Sequence, residues 1–237
     1  MFEMVQRLFF KRREEIQGFS IICIYNNRQK LDNYLIKSLT KQTAPFELIT
    51  IDNTAKNFQS AAPLLNEAAK NARYDYLMFV HQDVAFGSND WLRFAQRDIR
   101  HLRRFGAAGV AGKSPKGLFA SVFHGKPPHF VAEKRIKKPV PVQTLDGCLL
   151  IVPKEVFLKN GFDEKTCTGW HLYVADYCLD LSRRDLNVYV LPHDIYHEST
   201  GPADPMAYEQ TKQNIIDKHK YHKQIIYSTV GDWKTSY

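Results

Sequence analysis

Tyr76-Leu-Met-Phe-Val-His-Gln-Asp83 is an apolar run of about strand length that stops abruptly at a histidine and a carboxylate. Apolar residues on both faces of a strand mean that both faces are covered, as in the middle of a mostly parallel sheet with helices on either side. A carboxylate just past the end of such a strand stands on the rim where open α/β sheets bind ligands. The competing reading makes Asp83 a cap for a helix starting near Asn89 or Asp90, because Asx side chains are good N-caps.

Upstream, the pattern repeats. Ser20-Ile-Ile-Cys-Ile-Tyr25 reads as a first buried strand, broken by Asn26-Asn27-Arg28. Leu31, Tyr34, Leu35, Ser38 and Leu39 then recur at helical spacing, and the helix must stop before Pro45. Residues 46 to 51 read as a second strand that also ends in a carboxylate, Asp52, followed by turn-forming Asn53 and Thr54. Residues 61 to 72 read as a second helix, with Pro63 tolerable only in its first turn. Strand, helix, strand, helix, strand implies right-handed crossovers and an α/β class, three-layer α/β/α arrangement around a mostly parallel sheet. Tyr25, Asp52 and Asp83 then arrive at one rim. Three polar endings on one edge weigh against capping as the explanation of Asp83.

Downstream, residues 91 to 105 are expected as a helix and residues 106 to 112 as a small-residue strand. Neither a GxGxxG fingerprint nor a GxxxxGK[ST] loop is present, which excludes a dinucleotide or Walker site. Residues 113 to 141, with Pro127, Pro128, Pro139 and Pro141 and the basic run Glu133-Lys-Arg-Ile-Lys-Lys138, read as an excursion over the surface. Residues 142 to 152 read as a long strand or a pair of strands interrupted at Asp146-Gly147, where a glycine marks a bulge or a place for a ligand to approach the backbone. Pro153 opens a short helix closed by Gly161. Residues 169 to 184 read as an amphipathic helix with Asp176 in its first turns, where the dipole alone would favour a carboxylate. A last strand over residues 187 to 191 leads to Pro192-His-Asp-Ile-Tyr-His-Glu-Ser-Thr-Gly201.

Composition limits the classes. The 237 residues, 44% of them hydrophobic, can bury a substantial core, which excludes a disordered or repeat protein. Lys plus Arg number 33 against 25 Asp plus Glu, a formal charge of +8 that favours anionic partners. The four cysteines form no CxxC spacing, so no structural zinc is signalled. Without a signal peptide or a run of about 18 apolar residues, the expectation is a cytoplasmic protein with reduced thiols. Residues 1–18, with Phe2, Leu8 and Phe9 ahead of Lys11, Arg12 and Arg13, read as a basic amphipathic extension, expected to pack on the body or fray, with peripheral contact at the inner face of an anionic membrane as the alternative.

Taken in order, Ser-Ile-Ile-Cys-Ile-Tyr-Asn, Ile-Thr-Ile-Asp-Asn-Thr, the strand ending His-Gln-Asp, Leu-Asp-Gly before an apolar strand, Gly-Phe-Asp-Glu, Ala-Asp-Tyr-Cys-Leu-Asp and a late His-Glu-Ser resemble family 2-type glycosyltransferases of the GT-A fold, with its Rossmann-like nucleotide-binding half. The resemblance spans residues 19–201, leaving 202–237 as a helical tail. It implies a nucleoside-diphosphate sugar donor, a glycan, lipid-linked or protein acceptor, a divalent metal and an inverting transfer. By carry-over, Tyr25 and Asp52 hold base and ribose, Asp83 carries the metal, and Asp146 and Gly147 wall the sugar. Asp176 is the catalytic base, with Asp163 and Asp180 as its competitors, and His197 is a late metal or diphosphate ligand. The family writes Asp-x-Asp where this chain has His81-Gln82-Asp83, which makes His81 a further candidate ligand or a core residue. An imidazole among oxygen ligands fits Mn2+ better than Mg2+.

Two other readings compete. A nucleotidyltransferase of similar architecture should open with a glycine-rich loop after the first strand, and Tyr25-Asn-Asn-Arg28 has no glycine. A non-catalytic anion- or nucleic-acid-binding protein would use Lys134, Arg135, Lys137 and Lys138, but no stacking platform of interleaved aromatics accompanies them, so no nucleic acid is expected.

Overall fold

The structure is a computed structural model describing residues 18–198 and 204–235. The expected N-terminal amphipathic extension lies outside the described residues, apart from Gly18 at its edge.

A seven-stranded sheet runs in the order Val140–Val142, Asn187–Val190, Phe105–Gly109, Leu149–Pro153, Tyr76–Val80, Phe19–Tyr25, Phe46–Asp52. Five strands point one way; Leu149–Pro153 and Val140–Val142 run against their neighbours. Alternation along the strands divides the core in two. Ile21, Cys23, Met78, Val80 and Ile151 face Leu31, Leu35, Trp91, Leu92 and Ala95. Ile22, Leu77, Phe79, Leu150 and Val152 face Ala62, Leu65, Phe157, Phe162, Tyr177 and Leu181. Phe79 sits 4.8 and 5.0 Å, centroid to centroid, from Phe157 and Phe162. Helices on both faces make this the expected three-layer sandwich. All four cysteines are buried and free, packing as small hydrophobes.

Several boundaries differ from the reading of the sequence, each for a physical reason. The apolar run stops as a strand at Val80; His81, Gln82 and Asp83 turn the chain, and Val84–Phe86 joins a separate four-stranded sheet with Ile195–His197, Val122–His124 and His129–Phe130. The surface excursion therefore contains several short strands. The small-residue strand divides, because Phe105–Gly109 stays in the main sheet while Ala111–Ser114 pairs with Thr144–Leu145 and Gly117–Ala120. The helix expected from residue 169 begins at Tyr173, since Leu172 is left-handed, with φ 65°. The expected helical tail holds the helix Pro205–His219 and also a hairpin, Ile225–Ser228 with Gly231–Lys234. Thr211, Ile215 and His219, spaced by four, turn one face of that helix into the body.

Candidate active site

The rim forms as the alternation predicts. Tyr25 and Asp52 are register partners on neighbouring parallel strands, and the Tyr25 hydroxyl donates to Asp52 Oδ2 at 2.8 Å. Asp52 Oδ1 accepts from the Thr54 amide and hydroxyl, which hold its carboxyl below the usual range. Gln82 fastens this edge to the central strand: its Oε1 accepts from the amides of Asn26 and Asn27, and its Nε2 donates to Asn26 Oδ1. Asp83 is no cap. The helix Trp91–Ile99 has Asp90 at its N-cap position, without a side-chain capping bond.

His197 reaches Asp83 because its short strand pairs antiparallel with Val84–Phe86, setting His197 opposite Val84. His197 Nε2 lies 3.4 Å from Asp83 Oδ1 and 3.3 Å from His81 Nδ1. One ligand atom from each of His81, Asp83 and His197 falls within 4.8 Å of the others. Burial pushes His81 down to about 4, so its imidazole is neutral near pH 7 and keeps a lone pair for a ligand. Burial alone would raise Asp83, but its bond to His197 holds it ionised. Two ring nitrogens and an anionic oxygen converging from separate segments fit a divalent cation.

Asp146 and Gly147 stand beside this group. Asp146 Oδ1 accepts from the Cys148 amide at 2.9 Å and Oδ2 from the Thr229 hydroxyl at 3.0 Å, so the carboxylate ties the C-terminal hairpin to the rim. Burial would raise Asp146; the Cys148 amide, with His197 and His81 nearby, keeps it low. A Cβ on Gly147 would meet nothing closer than His81 Nε2 and Val174 Cγ2, both at 3.9 Å. The fold thus has no steric need for glycine there, and the space it leaves open borders the candidate metal group.

Asp176 is elsewhere. It is fully buried, with Oδ2 2.7 Å from Lys218 Nζ and Oδ1 2.8 Å from His219 Nε2, both on the C-terminal helix. Lys218 also meets Asp163 at 3.0 Å and Asp180 at 2.7 Å, so the three candidate bases share one ammonium. Burial would lower Lys218, but Asp176 leads the carboxylates that raise it. Because Val174 faces Gly147, a residue two positions on is turned about 200° away from the site. No contact joins Asp176 to His81, Asp83 or His197 among the described residues.

Residues that the sequence did not reveal complete the rim. Glu198, just after His197, accepts from the Tyr34 hydroxyl at 2.7 Å and from Lys126 Nζ at 2.8 Å through Oε1, and Oε2 lies 2.9 Å from Lys30 Nζ. Lys126 first, then Tyr34 and Lys30, pull Glu198 down to about 2. In the basic run, Arg135 bonds Asp194 and lies over the rings of Phe123 and Phe130, 5.1 and 4.7 Å from their centroids.

A family described as "Glycosyltransferase like family" matches residues 20–228. A Fuscovulum blasticum protein, "ATP synthase subunits region ORF 6", is 23% identical over 213 residues, 85% of this chain and 83% of its own. Among solved structures, S. aureus TarS 1-349 in complex with UDP-GlcNAc superposes with a TM-score of 0.59 at 16% identity. The mannosyltransferase PcManGT from Pyrobaculum calidifontis, in complex with GDP-Man and Mn2+, gives 0.60 at 13%, and GalNAc-T7 with UDP, GalNAc and Mn2+ gives 0.62 at 11%. These matches take in 85%, 87% and 86% of this chain but 66%, 65% and 48% of the respective structures. They show the GT-A fold.

Proposed function

The chain belongs to the glycosyltransferase-like family, and on that premise we propose that it moves a sugar from a nucleoside-diphosphate sugar to an acceptor hydroxyl, with a divalent cation at the diphosphate. The observation that carries this reading is the convergence of His81, Asp83 and His197 at the end of the central strand, on the same rim as the Tyr25–Asp52 pair. Tyr25 and Asp52 take the nucleoside. His81, Asp83 and His197 hold the cation, and their two imidazoles favour Mn2+ over Mg2+. When bound, such a cation neutralises the charge that builds on the leaving diphosphate. Asp146 acts at the sugar side by holding the wall in place, and Gly147 leaves the room. The complexes of PcManGT and GalNAc-T7, each containing Mn2+, support the same assignment.

The inverting course implied by the resemblance needs a carboxylate free to accept a proton. We place Asp176 instead among the residues that anchor the C-terminal helix, because both of its oxygens are engaged by Lys218 and His219. Comparing the anomeric configuration of donor and product by NMR settles the stereochemical course.

A melting-temperature screen with UDP and GDP, with and without Mn2+, tests the donor reading. A ligand at about 100 times its dissociation constant stabilises the fold by about 2.7 kcal/mol. The expected result is a shift with at least one nucleotide that requires the metal. No metal-dependent shift with either overturns the reading.

A further inference from the structure

Two lysines and a phenol from separate parts of the chain converge on one carboxylate beside the candidate metal ligands. Lys30 and Tyr34, four residues apart and so on one face of the helix after the first strand, come from one side. Lys126 comes from the turn between Val122–His124 and His129–Phe130. Glu198 Oε1 accepts from Tyr34 at 2.7 Å and from Lys126 at 2.8 Å, Oε2 forms an ion pair with Lys30 at 2.9 Å, and the Glu198 amide donates to the Asp83 carbonyl at 3.2 Å. Tyr34 is stacked on Tyr196 at 5.7 Å between ring centroids, which steadies its hydroxyl. The side chain of Glu198 is 20% exposed, whereas Lys30 and Lys126 are 42% and 71% exposed, so solvent and a ligand reach the cations more readily than the carboxylate.

We propose that Lys30, Lys126 and Tyr34 are a second diphosphate-binding element and that Glu198 is its internal stand-in, engaging the same three groups that a diphosphate would take. The inference rests on the donor reading above and deepens it. Two ammonium groups held this close repel one another unless an anion lies between them, and Glu198 supplies that anion in the ligand-free protein. A diphosphate brings more negative charge and more acceptor oxygens than a carboxylate, so it competes for the same three donors. Lysine suits an exchange of this kind, because its ammonium is a point charge on a flexible stem and not a rigid fork. His81, Asp83 and His197 would hold a cation against the diphosphate, while Lys30 and Lys126 bind its remaining oxygens. Glu198 follows His197 directly, so exchange of its partners is felt at the metal ligand.

The test is calorimetric titration of inorganic pyrophosphate in the presence of Mn2+ into the full chain, with melting temperature read on the same preparations. Substitutions Lys30→Met and Lys126→Met keep the apolar stems and remove the charges. Affinity is expected to fall about tenfold for each, because hydrogen bonds to charged groups are the stronger ones. Glu198→Gln is expected to raise pyrophosphate affinity, since an amide competes less well for the ammonium groups. Binding that survives loss of both lysines in a folded protein overturns this inference alone, and so does weaker binding by Glu198→Gln. Absence of Mn2+-dependent pyrophosphate binding in the wild type overturns the donor reading and this inference with it.

Discussion

Asp83 and Asp176 are both enclosed carboxylates with a histidine nitrogen close by, at 3.4 Å for His197 and 2.8 Å for His219. Their surroundings differ in charge balance. At Asp176 the counter-charge is built in: Lys218 and His219 take one oxygen each, and Asp163 and Asp180 share the lysine. At Asp83 the nearby ammonium, Lys30, is paired with Glu198, and the facing groups are the imidazoles of His81 and His197, the first of them held neutral by burial. A buried carboxylate that brings its own cation is a joint between elements. One that gathers imidazoles in its place has the ligand types a divalent cation takes.

The largest effect expected from this contrast is on stability. Asp176→Ala leaves Lys218 with Asp163 and Asp180 but deprives the buried His219 Nε2 of its acceptor, and should cost about 1–3 kcal/mol in denaturant unfolding, the usual penalty for a buried polar group left unpaired. A loss below about 1 kcal/mol would mean that the C-terminal helix is held by its apolar face alone.

Acid should expose the other centre. His81 has an ordinary value of 6.5 and sits near 4 in the fold, so the unfolded chain binds the extra proton between those values. Stability from the neutral ring is complete above pH 6.5 and is lost as pH falls toward 4. Asp163 and Glu198, held low, add their losses only below their ordinary values of 3.8 and 4.5. Melting curves of His81→Asn should therefore be flatter than wild type between pH 6.5 and 4. Equal slopes would show that the ring is not kept neutral.

The smallest effect on stability belongs to Gly147→Ala, which should stay within about 0.5 kcal/mol of wild type, because its Cβ has 3.9 Å of clearance. Nucleotide-sugar binding should weaken nonetheless if the donor uses that space. Unchanged binding in a stable Gly147→Ala protein would move the donor away from the wall between His81 and Val174.

The fold and the rim were readable because both depend on local pattern. Tyr25 and Asp52 end strands, and Asp83 follows one by three residues; these strands are apolar on both faces, and a parallel sheet must deliver such endings to one edge. The surroundings of Asp176 were not readable, because they turn on the phase of a helix. The left-handed Leu172 starts that helix at Tyr173, which presents Val174 to the rim and sends Asp176 to the opposite side. Its partners Lys218 and His219 lie more than 40 positions along the chain and carry no motif. Glu198, Lys30 and Lys126 were missed for the same reason: each reads alone as a solvated charge, and only tertiary structure brings them together. Val84–Phe86, three residues long, gives too weak a period to announce the turn that points Asp83 at His197.

The most direct test is calorimetric binding of UDP or GDP, whichever responds in the screen, with and without Mn2+, to wild type, Asp83→Asn and Asp176→Asn. Asp83→Asn is expected to keep its melting temperature and to lose about 100-fold or more of the metal-dependent affinity, as removal of a ligand should. Folded Asp176→Asn should bind as wild type does while melting earlier. Wild-type affinity in Asp83→Asn, or lost affinity in a folded Asp176→Asn protein, would contradict the division of roles between the two carboxylates.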